Sequence, residues 1–293
     1  MPGLKPIFPP TSTGPQSFFA KQDGRKMVRA IQFLYKDVQE EKLWLLAAAA
    51  VQGVITWLFP TALSFLPALF ILAYRVLDMV LIIYGFRQNR YMDGTIGRKI
   101  TAQIPDENGN FGDKPSNETV VVLLLGLRTN HPLGIFYSGF QKINKYFIDM
   151  MKDLESNREE YGYLTTSSWI SSSDRAASSE LLNIYYFRSM EGVHKFAHNP
   201  SHTAGVNWWN KTIKEHRDIS IMHEVYEAEP GHWENIYENY WPTSFASAKY
   251  PVKNKEADEK DTEPQQWVNG IVDAGVGSLN SAMKRLRRVP NRR

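Results

Sequence analysis

"ETVVVLLLGLRT", residues 118–129, is a run of valine and leucine closed off by polar residues at both ends. It is short for a helix, rich in β-branched residues at its start and without a polar face. It therefore reads as a strand buried at the centre of a sheet. Downstream, Phe136, Phe140, Ile143, Phe147, Met150, Met151 and Leu154 recur at three- and four-residue steps, the spacing of an amphipathic helix. "GYLTTSSWIS" (162–171) and "ELLNIYYFRS" (180–189) flank a polar stretch and read as a hairpin. "MEGVHKFAHN" and "AGVNWWNKTIKE" give a second helix, broken at Pro200 and restarted beyond it, and "ISIMHEVYEAE" (219–229) gives a fourth strand. Strand, helix, strand, strand, helix, strand is the order of the ferredoxin-like unit. The expected class is α+β, an antiparallel sheet with helices on one face, over residues 95–250. The other face of such a sheet is apolar and needs a second subunit or lipid to cover it.

Upstream, residues 43–74 contain no charged side chain, a run longer than the ~20 apolar residues that span a bilayer core. Pro60 and Pro67 interrupt it, and "MVLIIYGF" resumes after Arg75 and Asp78. A membrane-associated helical hairpin over 43–87 is one reading and a single kinked or monotopic anchor another; the bland alternative is a hairpin buried in a soluble fold, though soluble helices seldom run this long without a polar face. Arg75 and Asp78 lie three apart, where they can pair. Lys26, Arg29, Lys36 and Lys42 precede the run and Arg87, Arg90, Arg98 and Lys99 follow it, so both flanks favour the cytosolic side of an endomembrane. Residues 1–42 read as a flexible segment with a short amphipathic helix. Residues 89–116 read as a polar loop or linker, and 251–293 as a charged linker with a basic tail. That tail, if helical, suits an anionic membrane surface; a disordered solubilising tail is the alternative.

The 293 residues include no cysteine, which excludes disulfides, thiolate metal sites and cysteine nucleophiles. A net charge of +3 gives no general nucleic-acid field, although the last ten residues carry six cations. HExxH, GxSxG, Gly-rich phosphate-loop and GxGxxG patterns are absent. Alternation along the last strand sends Ile221, His223, Val225 and Glu227 to one face and Met222, Glu224, Tyr226 and Ala228 to the other. His223 can exchange a proton near neutrality, or it can be a hydrogen-bonded structural histidine. His194, His198 and His202 are spaced by four, but Pro200 stands between them and disfavours a shared metal site. Trp208, Trp209, Trp233, Tyr237, Tyr240 and Trp241, with Asn207, Glu234 and Asn239, have the composition of a pocket wall and equally of a core.

"VVVLLLGLRTNHP" (120–132), "NIYYFRSMEGVHKFAHNPSHTAGVNWWN" (183–210) and "ISIMHEVYEAEPGHWENIYENYWP" (219–242) together resemble the monooxygenase-like proteins with a dimeric α-β barrel (ABM), in their fungal membrane-anchored branch. The resemblance implies a homodimer of ferredoxin-like subunits. It also implies an oxygenation, with O2, of a lipophilic terpenoid or related intermediate of secondary metabolism. The family's Trp-His-Glu-Thr-Tyr strand is matched by Met222, His223, Glu224, Val225 and Tyr226, departing at Met222 and Val225. From it His223, Glu224 and Tyr226 follow as catalytic candidates. Gly231, Glu234, Tyr237, Asn239 and His202 match further family positions, and His202, Trp208, Trp209, Trp233, Glu234, Tyr237 and Asn239 are the pocket candidates. The implied cofactor is none or haem. An acidic substrate can form an anion that reduces dioxygen itself; a hydrocarbon needs haem or another metal, for which His223 or His202 would be the ligand. A non-catalytic lipophile binder or scaffold, and a haem-dependent lyase or dehydratase, remain the competing readings.

Overall fold

The computed structural model describes residues 4–18, 41–59, 61–171, 180–253 and 264–288. In chain order its elements are α1 (Glu41–Leu58), the single turn α2 (Thr61–Ser64), α3 (Leu66–Ile83), β1 (Ile96–Ala102), β2 (Val120–Thr129), α4 (Ser138–Ser156), β3 (Tyr163–Ile170), β4 (Glu180–Phe187), α5 (Met190–Ala197), α6 (Pro200–Thr212), β5 (Ile219–Ala228), β6 (Tyr237–Tyr240), β7 (Lys249–Pro251), β8 (Trp267–Asn269), β9 (Ile271–Asp273) and α7 (Ala282–Arg285).

The apolar run is an inner strand, as its composition requires. β2 pairs antiparallel with β4 on one side and β5 on the other, Val121 lying opposite both Phe187 and Glu227. The sheet order β3-β4-β2-β5 is the ferredoxin-like one. Odd-numbered residues of β2 face the helices. There Val121, Met151, Leu154, Tyr163, Tyr185, Phe187, Val193 and Phe196 form a closed core, with Leu123, Leu125 and Val225 at its margin.

Two helix starts fix that layer. The Ser189 hydroxyl accepts from the Gly192 amide at 3.2 Å, and the Asn199 side chain accepts from the His202 amide at 2.7 Å. Pro200 is therefore the first residue of α6 rather than a kink inside a helix, the position at which its missing N–H costs nothing. Asn199 in turn donates to Asp153 of α4 and to the Tyr161 hydroxyl, so the break between α5 and α6 is clamped to the first helix.

The opposite face corrects the expectation that a second subunit or lipid covers all of it. Phe245, Ala246, Ala248 and Tyr250 pack with Val120, Val122, Leu164 and Tyr186, so the chain itself covers one half. This cover is a helical turn at Ser244–Ser247 and the start of β7, flanked by two smaller sheets, β6-β1-β9 and β7-β8. β1 lies inside the stretch read as linker; its buried residues Ile100 and Ala102, with Ile104 just beyond it, were hidden among Arg98, Lys99 and polar neighbours.

Both ends also depart from expectation. Residues 4–18 are laid along the module: Ile7 N donates to Ile271 O at 3.0 Å, and Thr11 exchanges hydrogen bonds of 2.9 and 2.8 Å with Trp267. Residues 19–40, where the short helix expected within 1–42 could fall, lie outside the described residues. Residues 264–288 form strands and a helical turn, and Arg285, read as a tail cation, is buried against Glu234 at 2.7 Å. The charged stretch 254–263 lies outside the described residues.

Residues 41–83 form two helices joined through α2. Nearly all their apolar side chains are exposed, including Trp57, Phe59, Leu69, Phe70 and Leu72. Among the described residues, α3 alone is long and apolar enough to cross a bilayer. Asp78 does not pair with Arg75. It is buried under Arg87 and Arg90, which reach back from beyond the helix end.

Candidate active site

β5 is an edge strand, and its pleat divides the candidate residues between two environments. His223 faces the helices and Glu224 the opposite side, so the adjacent pair in sequence is not a pair in space. Glu224 instead accepts a hydrogen bond of 2.7 Å from the Tyr226 hydroxyl, two residues along the same face. That bond to a carboxylate raises the phenol above its ordinary pKa, since losing the proton would set two anions side by side.

On the helix side, His202 packs edge-on to Phe196, and its Nδ1 is buried without a hydrogen-bond partner. Burial holds the imidazole below its usual pKa of about 6.5, a hydrogen bond to the Ala197 backbone opposes this, and the charges of His198 and His223 add to it. Trp208 lies between Tyr146 of α4, Trp209 and His216, with ring centroids 5.4, 6.3 and 5.1 Å away. Those contacts make it part of the helix layer.

The remaining aromatics lie on the other side of the sheet, because residues 229–236 carry the chain past the edge of β5. The Trp233 indole donates to Glu118 O at 2.7 Å and its ring meets Phe245 edge-on. Tyr237 is packed beside it, its phenol pushed by burial up to about 12. Glu234 holds Arg285. Asn239 sits at φ 49° in an exposed strand, and Tyr240 stacks on Trp241 with centroids 4.8 Å apart. The single aromatic chamber that the composition allows is therefore not formed. Trp208 and Trp209 belong to one layer, Trp233 and Tyr237 to another, and the β-sheet stands between them.

The uncovered half of the sheet carries the groove. About 490 Å³ is lined by Gly126, Arg128, Glu180, Ser220 and Met222, with Leu127, Asn130 and Ile221 at its end. Met222 lies flat across Gly126, where a Cβ would stand 2.6 Å from its Cγ; glycine in the middle of a strand is explained by that approach. Arg128 reaches Glu180 only at 3.8 Å, and its Nε is buried with no partner. An arginine with a donor left unpaired is under-satisfied as it stands. Sequence reading passed over Arg128, although a cation closing an otherwise apolar strand was the signal.

Among the described residues no three His, Asp or Glu side chains converge on a metal site. The haem allowed by the resemblance fits poorly. Its candidate ligands His202 and His223 face the helices, and the groove opens on the opposite face.

The family model described as "Monooxygenase af470-like" matches residues 120–245, from the start of β2 to the cover segment. The chain is 30% identical to Monooxygenase af470 of Aspergillus fumigatus over 240 residues, which is 82% of this chain and 84% of that protein. Among solved structures, aldoxime dehydratase is 16% identical with a TM-score of 0.37, covering 51% of this chain and 40% of that one. SnoaB, a cofactor-independent oxygenase from Streptomyces nogalater, is 7% identical with a TM-score of 0.26, covering 36% of this chain and 90% of that one. The extent of the match to the Aspergillus protein, through both the sheet module and the segments around it, decides the family: the chain belongs to the monooxygenase af470-like family of monooxygenase enzymes.

Proposed function

We propose that the protein is a membrane-anchored monooxygenase acting on a lipophilic terpenoid or polyketide–terpenoid intermediate of fungal secondary metabolism, on the cytosolic side of an endomembrane. The observation that supports this reading is the uncovered half-sheet. Its apolar floor of Leu124, Leu182, Ile184 and Met222 adjoins the hydrogen-bonded Glu224–Tyr226 pair. Glu224 is the base and Tyr226 holds its carboxylate in place. A substrate C–H acidified by a neighbouring carbonyl or phenol gives its proton to Glu224. The resulting anion passes one electron to dioxygen, and the two radicals join as a peroxide anion, which takes the proton back from Glu224 to give a hydroperoxide. Loss of water from that hydroperoxide leaves one oxygen on carbon as a carbonyl, so a CH2 group and O2 become C=O and H2O with no outside reductant. Arg128 lies four residues along the strand from the level of Glu224, ~13 Å at strand spacing. It is placed to hold a polar group at the other end of the same molecule. A second copy of the chain, laid on the bare half-face, would exclude water from the reacting anion.

The test uses full-length protein in lipid nanodiscs with acidic lipophilic intermediates. Substrate-dependent oxygen uptake without a Soret band is expected, lost in Glu224→Gln while substrate binding persists. Binding without uptake in the native protein would favour the lipophile carrier, and a Soret band the haem reading.

A further inference from the structure

We infer that the hairpin of residues 41–83 enters and leaves the bilayer through the same face, with the bend at residues 59–66 remaining inside the hydrocarbon. This rests on the membrane-anchored reading above and fixes its topology.

The chain on both sides of the hairpin belongs to one folded module. On the near side, residues 4–18 are built into it by backbone pairing at Ile7 and Thr11, by the Lys249 ammonium donating to Thr13 O at 2.7 Å, and by Ser17 donating to Glu155 at 2.7 Å. The Phe18 ring meets Phe147 edge-on at 5.7 Å. Gly14 lies so close under the Trp267 indole that a Cβ there would be 3.2 Å away. On the far side, β1 begins at Ile96 and pairs with β6 and β9. A folded module lies on one side of a membrane, so a segment whose two flanks are both clasped by it makes an even number of passes. A single crossing by α3 is incompatible with that.

The sequence of the bend decides between two passes and none. Two complete passes need a polar connection in water on the far side. Here no charged residue occurs between Lys42 and Arg75, and Phe59, Leu63, Phe65 and Leu66 are exposed at the bend. Two polar side chains of the run find partners within the hairpin. Gln52 donates to Ser64 O at 3.2 Å, and the Thr56 hydroxyl donates to Gln52 O at 2.9 Å. The apolar part of α1, residues 43–58, covers only ~24 Å at helical rise, short of a bilayer core of ~30 Å. The charged residues mark the surface. Asp78 is covered by Arg87 and Arg90, and Arg75 lies only ~12 Å along the helix axis from the end of α3. A tilted, shallow helix lets its guanidinium reach the headgroups.

The experiment is translation of the full chain into microsomes with an epitope tag at each end. Retention in the pellet after alkaline carbonate is expected; release would remove the anchor itself, and this topology with it. With the anchor retained, both tags should be equally open to protease, whereas protection of one alone overturns the same-face hairpin and leaves the anchor standing. A glycosylation sequon inserted after Thr61 should stay unmodified, and its modification would show the bend emerging on the lumenal side. Because the chain has no cysteine, Thr11→Cys with Trp267→Cys gives a clean test of the clasp. Residues exchanging both hydrogen bonds across an antiparallel pair have Cα atoms ~5.5 Å apart, within disulfide reach. The cross-link should form in the membrane-bound protein; absence of the cross-link in a protein that still pellets overturns the clasp.

Discussion

Glu224 and Tyr226 stand two residues apart on the exposed face of an edge strand, joined by a bond of 2.7 Å. If Glu224 takes the substrate proton, Glu224→Gln lowers turnover ~100-fold or more, the usual range for removing a general base. Tyr226→Phe lowers it less, because it loosens the carboxylate without removing it; kcat measured for the two variants checks the order. His202 carries a different prediction. Its folded pKa is depressed, so below about 6.5 the unfolded chain binds a proton that the folded one refuses. Stability is full above that pH and falls as pH drops from it towards the folded value. Urea titrations between pH 7 and 5 should show this slope, reduced in His202→Gln. Asn199 caps α6 and ties it to α4, and Asn199→Ala should cost ~1–2 kcal/mol in the same titrations. The sequence showed the residue types on β5 and their faces, since alternation is local. It did not show that Gly126 meets Met222 and Arg128 lies opposite Ser220, because that pairing follows from the register of strands nearly a hundred residues apart.

At the scale of elements, the docking of α5 depends on one glycine. A Cβ on Gly192 would stand 2.0 Å from the carbonyl oxygen of Tyr161, a backbone atom that cannot swing aside. Gly192→Ala should therefore destabilise the protein by ~3 kcal/mol or more, beyond the usual cost of overpacking, with the midpoint of thermal unfolding as the measure. Gly126→Ala meets only the flexible Met222 side chain and should cost clearly less. The long elements were legible, because β2 and α4 each carry a sustained period in their own residues. The short ones were not. β6, β7, β8 and β9 have three or four residues each, too few to show a period, and they are strands because of their partners. The polar look of the tail hid β8 and β9 for that reason, while β1 was hidden by the charged and polar residues around it in 89–116.

For the whole molecule, Glu234 and Arg285 join the cover segment to the last described turn. Arg285 is 4% exposed and Glu234 28%. Removing the carboxylate leaves a buried cation, so Glu234→Gln should cost ~1–3 kcal/mol and loosen residues 264–288, which hydrogen exchange would locate. The hairpin was the plainest feature of the sequence, since charge is absent from Leu43 to Tyr74, a length that soluble helices seldom reach without a polar face. The clasp that holds its near flank was invisible, because Pro-rich residues without a period bind largely through backbone groups, and the Ser17 and Phe18 side chains that join them carry no local pattern.

That clasp has a consequence for the order of synthesis. Thr11 leaves the ribosome early, and its partner Trp267 appears only after more than two hundred further residues have been made. The apolar hairpin is thus complete long before the module can close around its flanks. Closure waits for the final strands, so a chain that stalls early is left with an unfastened leading segment and an incomplete cover. Quality control has a ready mark by which to tell a truncated product from a finished one.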